Sequence, residues 1–270
     1  MFVIGELINS TRKRVREAVV ARDAGYIKEI AIKQRDAGAD MLDVNGGVAG
    51  QEAACLTWLV NVVQETVDLP LCLDSSDPEA LRAALPLVKD RAMINSITGE
   101  EARFAAVLPL VNEYNTKVVA LSMDASGPPS GVDDRVAIGC RLVDRLTEAG
   151  MAIEDIYVDT CVLPVSTGSA HGRSVAEAVG QIKARYPEVH TSVGLSNVSF
   201  GLPVRKLLNQ TFLVLLLGQG LDAAILDPCD RQLMANVAAA EALLGRDEYC
   251  GAYLRAYRAG KLEPPAAAAG

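Results

Sequence analysis

A closed (β/α)8 barrel, a TIM barrel of the α/β class, is the fold this sequence predicts, and three observations carry the prediction. Eight short apolar, β-branched runs recur from one end of the chain to the other. Each is followed by a segment long enough to return as a helix, the signature of repeated βα units around a parallel sheet. The competing doubly wound open sheet lacks its G-x-G-x-x-G fingerprint after the first run, where the chain reads Gly5-Glu6-Leu7-Ile8-Asn9. Eight units in about 250 residues is what closure into a barrel requires.

The expected strands are residues 2–8, 41–45, 69–74, 92–96, 117–123, 156–161, 191–196 and 223–227. Two helix starts support this register. Asp77-Pro78 reads as an N-cap followed by proline at the first helical position, and Thr98-Gly99-Glu100-Glu101 reads as a capping box, each just beyond a strand. The stretch 207–221 is apolar nearly all round, with Phe212, Leu213, Val214, Leu215, Leu216 and Leu217 in succession. Such a helix either forms a subunit interface or is sealed by its neighbours and by the segment 248–258. A single barrel domain over 1–262 is expected, with residues 263–270, rich in proline and alanine, fraying.

Composition narrows the partners. Half of the 270 residues are hydrophobic and 22% are charged, with 22 glycines and 12 prolines, which describes a folded globular chain with a sizeable core. Lys plus Arg number 26 against 34 for Asp plus Glu, a formal charge of -8 with no basic stripe, so nucleic acid and anionic membranes are not expected partners. No apolar run approaches the ~18 residues of a membrane span, and Glu6 follows too soon after the apolar 1–4 for a secretion signal. Six cysteines lie far apart with no C-x-x-C pair, fitting neither a zinc site nor a disulfide framework. The cytoplasm is the expected compartment.

Barrel chemistry sits at the C-terminal ends of the strands, so the residues that close each run are the candidates. They are Glu6 and Asn9, Asp43 and Asn45, Asp74 and Ser75, Asn95 and Ser96, Ser122 and Asp124, Asp159 and Thr160, Ser196 and Asn197, and Asp227, with Arg205 soon after the seventh run. No lysine or histidine closes a strand. That argues against Schiff-base aldolases, enolase-type proton abstraction and glycine-rich phosphate barrels. A divalent cation held by Asp43, Asp74, Asp159 and Asp227 is the hard-ligand alternative. The interspersed asparagines and the missing base count against it, and no bound metal is expected.

A ring of carboxamides and isolated carboxylates can instead grip a flat heterocycle. The N–H and NH2 of a 2-amino-4-oxo pyrimidine edge can both be accepted by one carboxylate, Asp74 or Asp159, while Asn95 satisfies the ring carbonyl and nitrogens. The bland alternative is that Asp74 or Ser75 merely caps the next helix.

In order along the chain, Gly5-Glu6-Leu7-Ile8-Asn9, Leu42-Asp43-Val44-Asn45, Leu73-Asp74-Ser75, Ile94-Asn95-Ser96, Asp159 with Leu163-Pro164, and the stretch from Gly194 through Ser196-Asn197-Val198-Ser199 to Gly201 form a recognisable set. Together they resemble the pterin-binding barrels of the methyltetrahydrofolate:corrinoid protein methyltransferases, over essentially the whole chain. The folate domain of cobalamin-dependent methionine synthase and dihydropteroate synthase are more distant relatives of that family. The resemblance implies that Asp74, Asn95 and Asp159 hydrogen-bond the pterin, with Glu6, Asn9, Asp43, Asn45 and Ser196 around it. It places Asn197 near the methyl-bearing N5 and Arg205 at the pocket rim. Dihydropteroate synthases carry a basic pair with lysine where this chain has Asn197-Val198, which argues against that activity. Acetogenic methyltransferases usually carry glutamine where Phe200 stands, so the phenylalanine is closer to the methionine synthase pattern.

The implied reaction moves a methyl group between N5 of tetrahydrofolate and the cobalt of a corrinoid, by direct displacement in either direction. N5 must be protonated or strongly hydrogen-bonded as its bond to carbon breaks. A carboxamide offers either oxygen or nitrogen without titrating, so Asn197 is the candidate catalytic residue. Asp43 and Asp227 are alternative acids, and His171 and His190 are expected to be a loop and a strand-edge residue. No D-x-H-x-x-G cobalamin signature is present, so the corrinoid is expected on a partner protein, with the chain acting as a homodimer. The alternatives are a dihydropteroate synthase-like enzyme and a non-catalytic folate-binding subunit.

Overall fold

The computed structural model describes residues 1–262, and in it the eight runs form eight parallel strands. They are β1 (Phe2–Asn9), β2 (Met41–Asn45), β3 (Leu71–Asp74), β4 (Met93–Thr98), β5 (Lys117–Leu121), β6 (Ile156–Asp159), β7 (His190–Ser192) and β8 (Ala223–Leu226). The helices are α1 (Lys13–Ala21), α2 (Ala24–Ala37), α3 (Glu52–Gln64), α4 (Pro78–Ala84), α5 (Glu101–Glu113), α6 (Val132–Glu148), α7 (His171–Arg185), α8 (Arg205–Gly218), α9 (Arg231–Leu243) and α10 (Gly251–Arg258). Strands neighbour one another in the order β7-β6-β5-β4-β3-β2-β1-β8. A single parallel bridge, Gly194 with Ile225, joins the two ends of that row, with the Ile225 amide donating to the Val193 carbonyl at 2.9 Å. The expected (β/α)8 barrel is the architecture observed. The 263–270 segment expected to fray lies outside the described residues.

The differences from expectation are local. Strand seven stops at Ser192 because the chain turns into a 3-10 helix over Leu195–Ser199. Two helices, broken at Arg22 in the left-handed region, fill the β1–β2 connection where one was expected. The capping box at 98–101 does not form. β4 continues through Thr98, whose hydroxyl accepts from the Glu100 amide at 3.3 Å, while the Glu101 carboxylate is drawn to Arg145 at 2.9 Å. Asp77 caps α4 as expected, accepting from the Glu79 amide at 2.9 Å ahead of Pro78. The segment 248–258 does not seal α8, since α10 packs chiefly on α9.

The barrel interior is filled by Ile4, Met41, Cys72, Met93, Val119, Tyr157, Ala223 and Ile225. A second apolar layer lies between strands and helices, with Leu42, Leu73, Ile94, Val118 and Val158 on the outward faces. Strand side chains alternate, so two residues beyond the interior layer the same faces present Glu6, Asp43, Asp74, Asn95, Leu121, Asp159 and Asp227 to the barrel mouth. Gly46, just past β2, lets α3 approach: a Cβ there would stand 2.7 Å from the Leu56 amide nitrogen. Gly46→Ala is therefore expected to cost about 1–3 kcal/mol in urea denaturation, because the obstacle is backbone and cannot rotate away.

Candidate active site

Strands β1 to β4 deliver carboxylates and carboxamides in adjacent register, Asn9 beside Asn45, Asn45 beside Asp74, and Asp74 beside Asn95. Asp74 Oδ2 accepts from Asn45 Nδ2 at 3.0 Å and from Asn9 Nδ2 at 3.5 Å. Both carboxamides are held in that orientation by their own oxygens: Asn45 Oδ1 accepts from the Gly47 amide and Asn9 Oδ1 from the Thr11 amide, each at 3.0 Å. Asn95 Nδ2 donates to Asp43 Oδ1 at 3.1 Å, which leaves the Asn95 amide oxygen as an acceptor. Asp43 is buried and Asn95 half-buried, so the asparagine stands nearer the opening.

On the opposite side, Asp159 is anchored by main chain, Oδ1 accepting from Cys161 at 2.8 Å and Oδ2 from Gly194 at 3.1 Å. The second bond ties β6 to the turn that carries Asn197. Glu6 Oε1 accepts from Ser196 Oγ at 2.8 Å and pairs with Arg12 at 2.6 Å. Arg205, at the head of α8, donates to the Ser196 carbonyl at 2.6 Å and to Ser199 Oγ at 3.0 Å, and so braces the turn. Asn197 is exposed on that turn, and its carboxamide makes no hydrogen bond among the described residues. It is the free amide of the rim.

Burial raises the carboxyls of this layer. It pushes Asp74 and Asp159 each up to about 6, and it raises Glu6, with Arg12 opposing. Asp43 is pushed well above the usual carboxylate range by burial and then by the neighbouring Asp74. Its neighbour Cys72 is held as the thiol, first by burial and then by Asp43. At pH 7 Asp74 and Asp159 are thus mainly ionised acceptors, poorly solvated and waiting for donors.

The helix-capping alternative applies to neither Asp74 nor Ser75, since Asp77 caps α4. The Ser75 hydroxyl accepts from the Asp77 amide at 3.0 Å and donates to Glu52 at 2.6 Å. Asp124 and Asp227 serve their own turns, accepting from the Ser126 and Cys229 amides. His171 heads α7 with Nδ1 3.0 Å from the Pro164 carbonyl, and His190 opens β7 at the opposite pole, stacked on Tyr157 at 4.5 Å. Among the described residues no group of three or more His, Cys, Asp or Glu is placed to hold a metal ion. Sequence reasoning missed Arg12, Arg103 and Asn209, which reach the rim from helices and loops. A cation in the first turn of a helix, against the dipole, is the signal that would have found Arg103.

Residues 5–227, the span that contains every one of these rim residues, match the family model described as pterin binding enzyme. The chain belongs to the pterin-binding enzyme family. This pterin-binding enzyme is 38% identical to the methylcorrinoid:tetrahydrofolate methyltransferase of Eubacterium limosum, over 98% of each chain. It is 35% identical to methionine synthase of Mycobacterium tuberculosis, over 83% of this chain and 20% of that larger protein. The pterin-binding enzyme shares its fold with dihydropteroate synthase from Xanthomonas albilineans, with a TM-score of 0.67, 18% identity, and coverage of 92% and 94% of the two chains. The Yersinia pestis dihydropteroate synthase superposes similarly, with a TM-score of 0.66, 16% identity, and coverage of 90% and 93%. No helix among the described residues is long and apolar enough to cross a membrane.

Proposed function

We propose that this chain is a methyltransferase that moves a methyl group between N5 of methyltetrahydrofolate and the cobalt of a corrinoid borne by a partner protein. The observation that carries the reading is the division of the rim: fixed, paired acceptors at Asp74, Asn95 and Asp159, and an unpaired carboxamide at Asn197. The full-length likeness to a methylcorrinoid:tetrahydrofolate methyltransferase supports it.

In this reading the ionised Asp74 and Asp159 accept the N–H and NH2 donors of the pterin edge. Their burial, unfavourable in the free enzyme, makes those charge-assisted bonds strong. Asn95, its amide nitrogen committed to Asp43, presents its oxygen. Asn9 and Asn45 hold Asp74 in place, and Glu6, through Ser196, together with Arg205 sets the turn from which Asn197 reaches N5. Asn197 accepts from a protonated N5 or donates to a neutral one, and so follows the nitrogen through the change in bonding without titrating. The corrinoid, when its carrier docks, supplies the cobalt that takes or gives the methyl group. The same contacts serve both directions.

The test is anaerobic: protein, 5-methyltetrahydrofolate and chemically reduced cobalamin are mixed and the visible spectrum is followed for loss of Co(I). Protein-dependent conversion is expected. Failure to bind the folate at all overturns the pterin reading, and binding without transfer to any corrinoid carrier leaves a folate-binding subunit. Turnover of a pterin pyrophosphate with p-aminobenzoate would establish the synthase alternative, which the Asn197-Val198 pair disfavours.

We also propose a homodimer in the cytoplasm. The groove between α7 and α8, about 460 Å³ and lined by Val165, Ala176, Leu208, Phe212 and Leu215, adjoins exposed Leu207 and Val214 on α8. Leu215→Asp, on the exposed side of that groove, is expected to convert dimer to monomer in sedimentation velocity without lowering the melting temperature of the monomer; a wild-type monomer would end the proposal.

A further inference from the structure

Arg103 lies in the first turn of α5, where the helix dipole disfavours a cation, and its side chain turns back over the barrel rim. Nε and Nη2 both donate to the Ser96 carbonyl, at 3.0 and 2.7 Å. Nη2 also donates to the Ser75 carbonyl and Nη1 to the Ser76 carbonyl, each at 2.8 Å. Ser75 follows Asp74 and Ser96 follows Asn95, and Asp74 and Asn95 are themselves the last register pair of β3 and β4. One planar fork therefore fastens the two turns immediately beyond two neighbouring rim acceptors. All four bonds go to main-chain carbonyls, so the positive charge is left to act on its surroundings. Arg135 on α6 follows the same pattern one strand pair on, donating to the carbonyls of Gly131 at 2.9 Å and of Cys161 at 3.3 Å, two residues past Asp159.

We propose that Arg103 is a positioning residue for pterin recognition: its guanidinium sets the spacing between Asp74 and Asn95 and places positive charge behind the Asp74 carboxylate. The proposal rests on reading the rim as a pterin site. Lysine cannot replace it, because an ammonium is a point donor and cannot bridge three carbonyls in one plane. The groups around Asp74 are Asn9 from β1, Asp43 and Asn45 from β2, and Glu52 from α3, while Asp77 and Glu100, from the turns before α4 and α5, face Arg103 itself. Against these acidic neighbours Arg103 is the opposing cation. Its removal has two separable consequences: the turns loosen, and Asp74 becomes harder to ionise.

The experiment measures tetrahydrofolate affinity by anaerobic calorimetry between pH 5 and 8 for the full chain, Arg103→Gln, Arg103→Lys and Arg145→Gln. Arg145 on α6 pairs with Glu101, on the same helix as Arg103, without a hydrogen bond to the rim, and serves as the control. Arg103→Gln is expected to weaken binding at pH 7.5 about thirtyfold, the equivalent of losing charge-assisted hydrogen bonds that order the site. Its acid limb, where binding fails as Asp74 takes a proton, is expected to move to higher pH. Arg103→Lys keeps the acid limb of the wild type yet recovers less than half of the lost binding energy, and Arg145→Gln stays within about twofold of wild type. Binding by Arg103→Gln within about threefold of wild type overturns the proposal. So does wild-type affinity in Arg103→Lys, which decides the matter if the glutamine variant melts early. Wild-type protein that binds no tetrahydrofolate refutes the pterin reading instead.

Discussion

Asn197→Ala is expected to slow methyl transfer about ten- to a hundredfold while leaving folate affinity within about twofold. The wild-type carboxamide is exposed and unpaired among the described residues, so its loss leaves no buried group stranded and does not disturb the turn. That turn is held by Arg205, by the Glu6–Ser196 bond and by Asp159 on Gly194. What would be lost, in the proposed mechanism, is a hydrogen bond that strengthens as N5 releases or accepts carbon. About 1.5–3 kcal/mol of transition-state stabilisation corresponds to that range of rates. Single-turnover mixing with reduced cobalamin, alongside equilibrium binding of tetrahydrofolate, separates the two quantities. Equal losses in rate and affinity would reassign Asn197 to substrate binding.

The opposite pattern is expected of Asp74→Asn, which should abolish measurable folate binding, a loss of at least about a hundredfold, and yet stabilise the free protein. An amide oxygen placed where Oδ2 now accepts from Asn45 and Asn9 keeps both bonds. The amide nitrogen then replaces the other oxygen and, in the proposed site, would confront the donor edge of the pterin with a donor. For stability the sign follows from the raised carboxyl, 3.8 ordinarily and about 6 when folded. Such a group binds its proton more tightly in the folded chain, so the folded form is favoured at low pH and loses stability as pH rises from 3.8 to about 6. The asparagine carries no such penalty. Urea denaturation should therefore show the variant ahead by on the order of 2 kcal/mol at pH 8, with the gap closing as pH falls through that window. An unchanged or lower midpoint at pH 8 would mean that the carboxylate is solvated.

Much of this was legible from residue patterns, and the parts that were not have physical reasons. Continuous apolar runs mark strands buried on both faces, which is why all eight appear in the sequence. Their ends depend on tertiary hydrogen bonds. Residues 193–196 have strand-like composition, yet the Asp159 carboxylate captures the Gly194 amide and the chain bends into the turn that carries Asn197. Thr98 and Glu101 have capping-box spacing, but Arg145, 44 residues on, outcompetes the local bond. The polar rim itself follows from strand period and was readable. The orientation of each carboxamide was not, because Asn95 is turned by Asp43 and Asn45 by the Gly47 amide, and neither pairing has a sequence signal. The partners of Arg103 were unreadable for a similar reason, being carbonyls, which every residue has; only its place in the first turn of a helix marked it.

The single bridge between Gly194 and Ile225 gives the barrel a front and a back. β3 and β4 are laced to their neighbours along their length, whereas β7 is three residues long and meets β8 at one point. Asp74 and Asn95 stand on the laced side, and Asn197 rides on the turn beside the open seam. Breaking that join sacrifices the fewest strand hydrogen bonds, so it is where the barrel yields first. Under the proposed function, recognition of the heterocycle would fall to the stiff wall, and accommodation of a bulky incoming carrier to the compliant one. A molecule that must hold a small ring still while a much larger body approaches it benefits from having its hinge and its grip on opposite sides.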